Sequence, residues 1–167
     1  NLIERNIFGV DISQHAIERA KIILTLFALL NGEDKREIHF NLFCADSLTF
    51  NFHKILLENN LPQGFDVIVG NPPYSTLPKD YNASKILSKF KTVLTEENFP
   101  NLYILFVELM ISIVNKSRGS LGAIIPLSLA YSSNKSIQKL RQIISSTNGE
   151  WFLSFFDRSP DSLFGDN

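Results

Sequence analysis

Apolar and polar positions along the chain fall into short compact runs separated by longer periodic stretches. "IFGVD" (7–11), "IHFNLFCA" (38–45), "FDVIVG" (65–70), "LGAIIP" (121–126) and "WFLSFFD" (151–157) are apolar runs bounded by polar or turn residues, at lengths that predict strands. "FDVIVG" is apolar almost throughout, as a strand covered on both faces should be. Ala16, Ile17, Ala20, Ile23, Leu24 and Phe27 recur at spacings of three and four, which predicts a helix through 15–31 with Ser13 as its cap and Gly32 as its stop. "NLYILFVELMISIVNKS" (101–117) predicts a second helix, capped by Asn101 and ended before Gly119, and "NKSIQKLRQIISS" (134–146) a third. Strands alternating with helices predict an α/β domain whose mostly parallel sheet carries helices on both faces. No internal repeat, low-complexity tract or clear linker divides the chain, so residues 1–167 read as one domain.

Composition narrows the partners. With Lys+Arg 16 against Asp+Glu 17, the formal charge is −1, so no global polyanion-binding surface is advertised and any nucleic-acid contact must be local or made from elsewhere. Cys44 is the single cysteine; it cannot form an intrachain disulfide, and its place in "FNLFCA" predicts a buried, inert thiol in a reducing, cytoplasmic setting. The apolar runs "IILTLFALL" and "LYILFVELMISIV" are too short, or too interrupted by Glu108, to span a bilayer, and no signal peptide precedes them. A soluble protein without a membrane partner is expected. His15, His39 and His53 are scattered and offer no convincing metal-ligand set.

In an open α/β sheet, ligands bind just beyond the carboxyl ends of the strands, and Asp11, Asp46 and Asn71 all sit at such ends. A carboxylate at Asp11 can accept from the two hydroxyls of a ribose; equally, it can help cap the helix that starts near Ser13. Asp46, with Ser47 beside it, can accept from an adenine amino group, or serve only its own loop. Asn71-Pro72-Pro73-Tyr74 is more specific. Two prolines in succession make a stiff extended corner that lacks two N–H groups, so its carbonyls are free to accept. If the Asn71 side-chain oxygen and the Pro72 carbonyl both accept from one exocyclic amino group, they hold its nitrogen and draw its lone pair out of conjugation, which makes it a nucleophile. Tyr74 offers a flat face on which an extruded base can stack, at about 1–3 kcal/mol per base. The structural alternative is a rigid turn with an exposed tyrosine.

"FGVDIS" followed by a helix, then "ADS", "FDVIVGNPPYS", "NLYILFVE" and "LGAIIPLSLAYSSNKSIQKLRQII", occur in an order that resembles S-adenosylmethionine-dependent adenine-N6 DNA methyltransferases, and most of all those of type II, IIG-like restriction-modification systems. The resemblance covers nearly the whole chain. It implies a Rossmann-like methyltransferase fold, a bacterial cytoplasmic setting and double-stranded DNA as partner through a full-length parent. It implies that Asp11 and Ile12 contact the cofactor's ribose and adenine, that Asp46 and Ser47 contact its adenine edge, and that Phe106 packs near that adenine. Asn71, Pro72, Pro73 and Tyr74 become the catalytic corner, acting on an adenine flipped out of the duplex because a stacked and paired amine is out of reach.

The departures from that family shape further expectations. Its Gly-rich cofactor turn and first strand would precede residue 1, and its final strand and target-recognition region would follow residue 167. The resemblance therefore implies a partial catalytic domain truncated at both ends, whose partners include the missing flanking segments of the parent or, through strand exchange, a second copy of itself. Lys79, Lys85, Lys89 and Lys91 are the local basic candidates after the corner. Two other readings stay open at this point. One is an N-methyltransferase acting on release-factor glutamine or ribosomal RNA, since those families use similar corners, although no Glu-Pro segment follows this one. The other is a noncatalytic piece that packs against the rest of a larger enzyme.

Overall fold

The computed structural model of the chain describes residues 2–32, 37–78, 81, 86, 88–94 and 100–154. It divides into two units, Asn1–Phe52 and His53–Asn167.

In the first unit, α1 (Leu2–Asn6) leads into β1 (Phe8–Asp11), followed by α2 (Gln14–Leu30) and β2 (Asn41–Cys44). The two strands pair in parallel with Phe8 opposite Asn41 and Asp11 opposite Cys44. Gly9 makes that approach feasible, because a Cβ there would lie 2.7 Å from Leu42 Cδ2. Glu4 ties α1 to the second strand: its carboxylate accepts from His39 N at 3.1 Å and its carbonyl from Asn41 Nδ2 at 2.6 Å. Ser13 caps α2 as expected, its hydroxyl accepting from Ala16 N at 3.3 Å, and Gly32 follows the helix end at φ +82°.

The buried stripe of α2 differs from the expected one. Ile17 and Ala28 are buried and Ala16, Ala20 and Leu24 are half-buried, whereas Ile23 and Phe27 are exposed together with Ile22, Leu26, Leu29 and Leu30. At about 100° per residue, Ala28 comes round to within about 20° of Ile17 while Ile23 lies about 120° away. The helix is apolar around more of its circumference than one strand pair can cover. Cys44 is also exposed, contrary to the buried thiol expected from its neighbours. It is the last residue of β2, opposite Asp11 at the rim of the pair, and its thiol donates to the Ile12 carbonyl at 3.6 Å.

In the second unit, α3 (Phe52–Glu58) begins at the division, followed by β3 (Val67–Gly70), α4 (Leu102–Ile113), β4 (Ser120–Ala123), α5 (Ser128–Tyr131) and α6 (Lys135–Ser146). β3 and β4 are parallel, with Val67 opposite Ser120 and Gly70 opposite Ala123. The core lies between α4 and α6, where Tyr103, Ile104, Val107, Ile111, Ile137 and Leu140 pack together. Asn134 caps α6, accepting from the Ser136 and Ile137 N–H groups. α4 stops at Ile113, short of the expected residue 117, because Val114 turns extended and bridges Phe65, and Asn115 then accepts from Ser117 N in a tight turn. Lys116 donates to the Ile111 carbonyl, placing a cation at the helix C-terminus. Partial burial pulls the Lys116 ammonium below the usual lysine range.

Three expectations about the sheet are corrected. The described strands stand as two parallel pairs, β1-β2 and β3-β4, in place of one mostly parallel sheet. β3 is covered on one face alone among the described residues: Ile68 is half-buried while Val67 and Val69 are exposed, so its continuous apolar character does not signal cover on both sides here. Residues 151–154 of the expected fifth strand are not extended in any ladder, and Phe152 is exposed; the rest of that run lies outside the described residues. A strand exists only where a neighbour supplies the ladder, and none of the described residues does so at 151–154. No helix among the described residues is long and apolar enough to cross a membrane.

Candidate active site

The first unit brings Asp11, Ile12, Asp46 and Ser47 to one place, the carboxyl ends of β1 and β2. Parallel register sets Asp11 beside Cys44, and Ala45 N donates to the Asp11 carbonyl at 2.9 Å, so the two acids follow adjacent strands. Each acid spends one carboxylate oxygen on its own turn. Asp11 Oδ1 accepts from Ser13 N at 2.7 Å, and Asp46 Oδ1 accepts from Leu48 N at 2.9 Å. The local role foreseen for both is therefore real, yet Oδ2 of each remains without a protein partner among the described residues. Ile12, 75% exposed, presents its apolar side chain between them in sequence.

The second unit builds the corner. β3 ends at Gly70, whose carbonyl accepts from Ile124 N at 3.2 Å, and Asn71 to Tyr74 continue beyond that end with no regular structure. Pro72 is buried; Asn71, Pro73 and Tyr74 are exposed. Two anchors hold the corner from the side of α4: Asn101 Nδ2 donates to the Tyr74 carbonyl, and Leu102 N donates to the Ser75 carbonyl at 2.8 Å. A third comes from Tyr74 itself, whose hydroxyl donates to Asn71 Oδ1 at 2.8 Å and lies 3.2 Å from the Ile124 carbonyl. The Pro72 carbonyl accepts no hydrogen bond among the described residues. The corner thus carries two acceptors on successive residues, Asn71 Oδ1 and the Pro72 carbonyl, on an anchored backbone.

Residues outside the motif brace this end of the unit. Arg141 donates to the Leu129 and Ser132 carbonyls, both at 2.9 Å, and so fixes the segment after β4. The Tyr103 hydroxyl pairs with Ser128 Oγ at 3.1 Å, and burial pushes that phenol above the ordinary tyrosine range. Glu108, buried in α4, accepts from Lys91 N at 2.8 Å, Thr92 N at 3.0 Å and Thr92 Oγ1 at 2.7 Å. Sequence reasoning missed these. An Asn before a helix ordinarily signals a cap, but Asn101 makes no side-chain cap bond and instead anchors Tyr74.

Phe106 sits half-buried on α4. Of the basic candidates, Lys79 and Lys85 lie outside the described residues. Lys89 is exposed with its ammonium 5.5 Å from the Phe90 ring centroid, and Lys91 is exposed with its backbone bound to Glu108.

A comparison with individual curated proteins gives no match. The sequence pattern of the Eco57I restriction-modification methylases, in contrast, matches residues 5–160. That span takes in the acids at the ends of β1 and β2, the corner beyond β3, and both helices of the core. With its strand-end acids and its Asn-Pro-Pro-Tyr corner inside a match of nearly full length, the chain belongs to the Eco57I restriction-modification methylase family.

Proposed function

We propose that the protein methylates the N6 amino group of an adenine turned out of duplex DNA, with S-adenosylmethionine as donor, within a type II, IIG-like restriction-modification system. The observation that carries this reading is the acceptor pair at the end of β3, Asn71 Oδ1 and the Pro72 carbonyl, on a corner anchored by Asn101 and Leu102. Membership of a methylase family supports it.

The residues present fit the adenosine half of the cofactor. Asp11 and Asp46 each keep one carboxylate oxygen for a ligand after serving their own turns, and a ribose diol or an adenine amine is the kind of donor such an oxygen takes. Ile12 supplies an exposed apolar surface for the flat base, and Ser47 a hydroxyl beside Asp46. When bound, S-adenosylmethionine supplies an electrophilic methyl group on a sulfonium, which a nitrogen lone pair displaces as the carbon–sulfur electrons return to sulfur.

The protein's part is positioning and electrostatics. Asn71 Oδ1 and the Pro72 carbonyl accept the two amino hydrogens of the target, fix its nitrogen and favour the developing positive charge on it. Pro73 keeps the corner from relaxing, since its φ is locked. Tyr74 stacks on the extruded base and offsets part of the cost of unstacking it. Duplex contact is made through the full-length protein, with Lys89 and Lys91 near the corner in sequence. Other segments of that protein cover the exposed Val67 and Val69 of β3 and the apolar flank of α2.

The test is product analysis. The full-length protein, given S-adenosylmethionine with a labelled methyl group and unmethylated genomic DNA, should yield labelled N6-methyladenine on nucleoside digestion. Label in N4-methylcytosine, in ribosomal RNA or in glutamine-containing peptides, with none in adenine, would overturn the adenine assignment.

A further inference from the structure

Tyr74 carries a hydroxyl that stacking does not use. Its proton goes to Asn71 Oδ1 at 2.8 Å, and the Ile124 carbonyl stands 3.2 Å from the same oxygen. This is the one side-chain hydrogen bond that the Asn71 amide makes among the described residues. The amide is exposed, and its terminal torsion is broad and roughly two-fold, so nothing in its own rotamer preference separates oxygen-forward from nitrogen-forward. The two orientations are chemical opposites: the oxygen accepts from an amine, whereas the NH₂ group would repel one.

We propose that the Tyr74 hydroxyl is a positioning group for Asn71, holding the amide so that its oxygen serves the target amine; this rests on the methyl-transfer reading above. A carbonyl oxygen has two lone pairs. The phenol takes one and leaves the other for the amine, so both bonds coexist. The Ile124 carbonyl, a second acceptor within reach of the phenol at 3.2 Å, is held in place through the bond from Ile124 N to the Gly70 carbonyl at the end of β3. The tyrosine thus joins two tasks in one side chain. Its ring receives the base, and its hydroxyl aims the acceptor that selects a base bearing an amino group.

The hydroxyl and the ring separate in Tyr74→Phe, which keeps the stacking face. In the full-length protein, Tyr74→Phe should lower kcat about three- to tenfold while KM for duplex DNA stays within about twofold, the size of one hydrogen bond's worth of orientation. A second readout does not depend on turnover. Equilibrium binding is compared for duplexes carrying either adenine or purine, which lacks the amino group, at the target position. Wild type should prefer adenine, and Tyr74→Phe should shrink that preference several-fold. Tyr131→Phe, which removes a hydroxyl from another exposed tyrosine of the same unit, should leave both readouts unchanged. An unaltered preference in Tyr74→Phe would overturn the proposal. So would a widened one, which would mean that the phenol competes with the amine instead of aiming its acceptor. Wild-type transfer to adenine is measured first: if it is present, a negative result counts against the hydroxyl alone, and if it is absent, the methyl-transfer reading falls and the proposal with it.

Discussion

On the proposed reading Asn71 supplies one of the corner's two acceptor oxygens, so its removal should be costly and selective. Asn71→Ala is expected to reduce adenine methylation by about two orders of magnitude or more, the size typical of losing one preorganised polar group. Cofactor affinity measured by calorimetry should change little, because the strand-end acids lie on other elements. Asp11→Ala should do the reverse, weakening cofactor binding with little effect on DNA affinity. Tyr74→Ala removes the stacking face as well as the hydroxyl. Its defect should be partly rescued on duplexes mismatched at the target, where less energy is needed to extrude the base, and methylation assays should show no such rescue for Asn71→Ala.

At the scale of elements, α4 is the organising piece. Its N-terminus anchors the corner, its middle fills the core, and Glu108 reaches from it to hold Lys91 and Thr92. Thr92 is fully buried, so Glu108→Ala strands two hydrogen-bond donors of Thr92 in an apolar setting. At about 1–3 kcal/mol for each buried donor left unpaired, the variant should melt at least about 5 °C below wild type in thermal denaturation followed by circular dichroism. Tyr103 makes a pH prediction. Burial raises its phenol pKa above the unfolded value of about 10, so the folded state keeps a proton that the unfolded state gives up. Its contribution is complete below about pH 10 and is lost as pH climbs through the raised value. The melting temperature should therefore fall as pH rises above about 10, and Tyr103→Phe should flatten that decline, although it forfeits the bond to Ser128 at every pH.

For the molecule as a whole, the apolar surface left in water is large for a chain of this size. Val69 is 80% exposed on β3, and six apolar residues of α2 from Ile22 to Leu30 are exposed together. Contiguous apolar patches of this kind mark surfaces that another chain segment covers. The chain by itself should self-associate as concentration rises, measured by sedimentation velocity, and Val67→Lys with Val69→Lys should suppress that association. On the proposed reading, in which Asp11 and Asp46 take the adenosine half alone, it should also bind S-adenosylmethionine weakly by calorimetry.

The identity of most elements is legible in the sequence itself, as are the residues of the proposed site. Strand and helix periods, the cap at Ser13, the double proline after Asn71 and the acids that close β1 and β2 are all set by residues within a few positions of one another. Backbone sterics and local hydrogen bonds act over that range. Three short helices, α1, α3 and α5, leave no periodic signal in the sequence, because at 5, 7 and 4 residues they are too brief to establish a period. Other features were decided by tertiary structure alone: that the strands pair two by two, that α2 buries Ile17 and Ala28 in place of Ile23 and Phe27, and that Cys44 is exposed at the rim. So was the hold on the corner itself. Tyr74 meets a carbonyl 50 residues along the chain, Asn101 reaches back 27, and Glu108 finds its donors 16 and 17 residues before it. Such contacts depend on register and packing between distant segments, which place no signature on the residues flanking either partner.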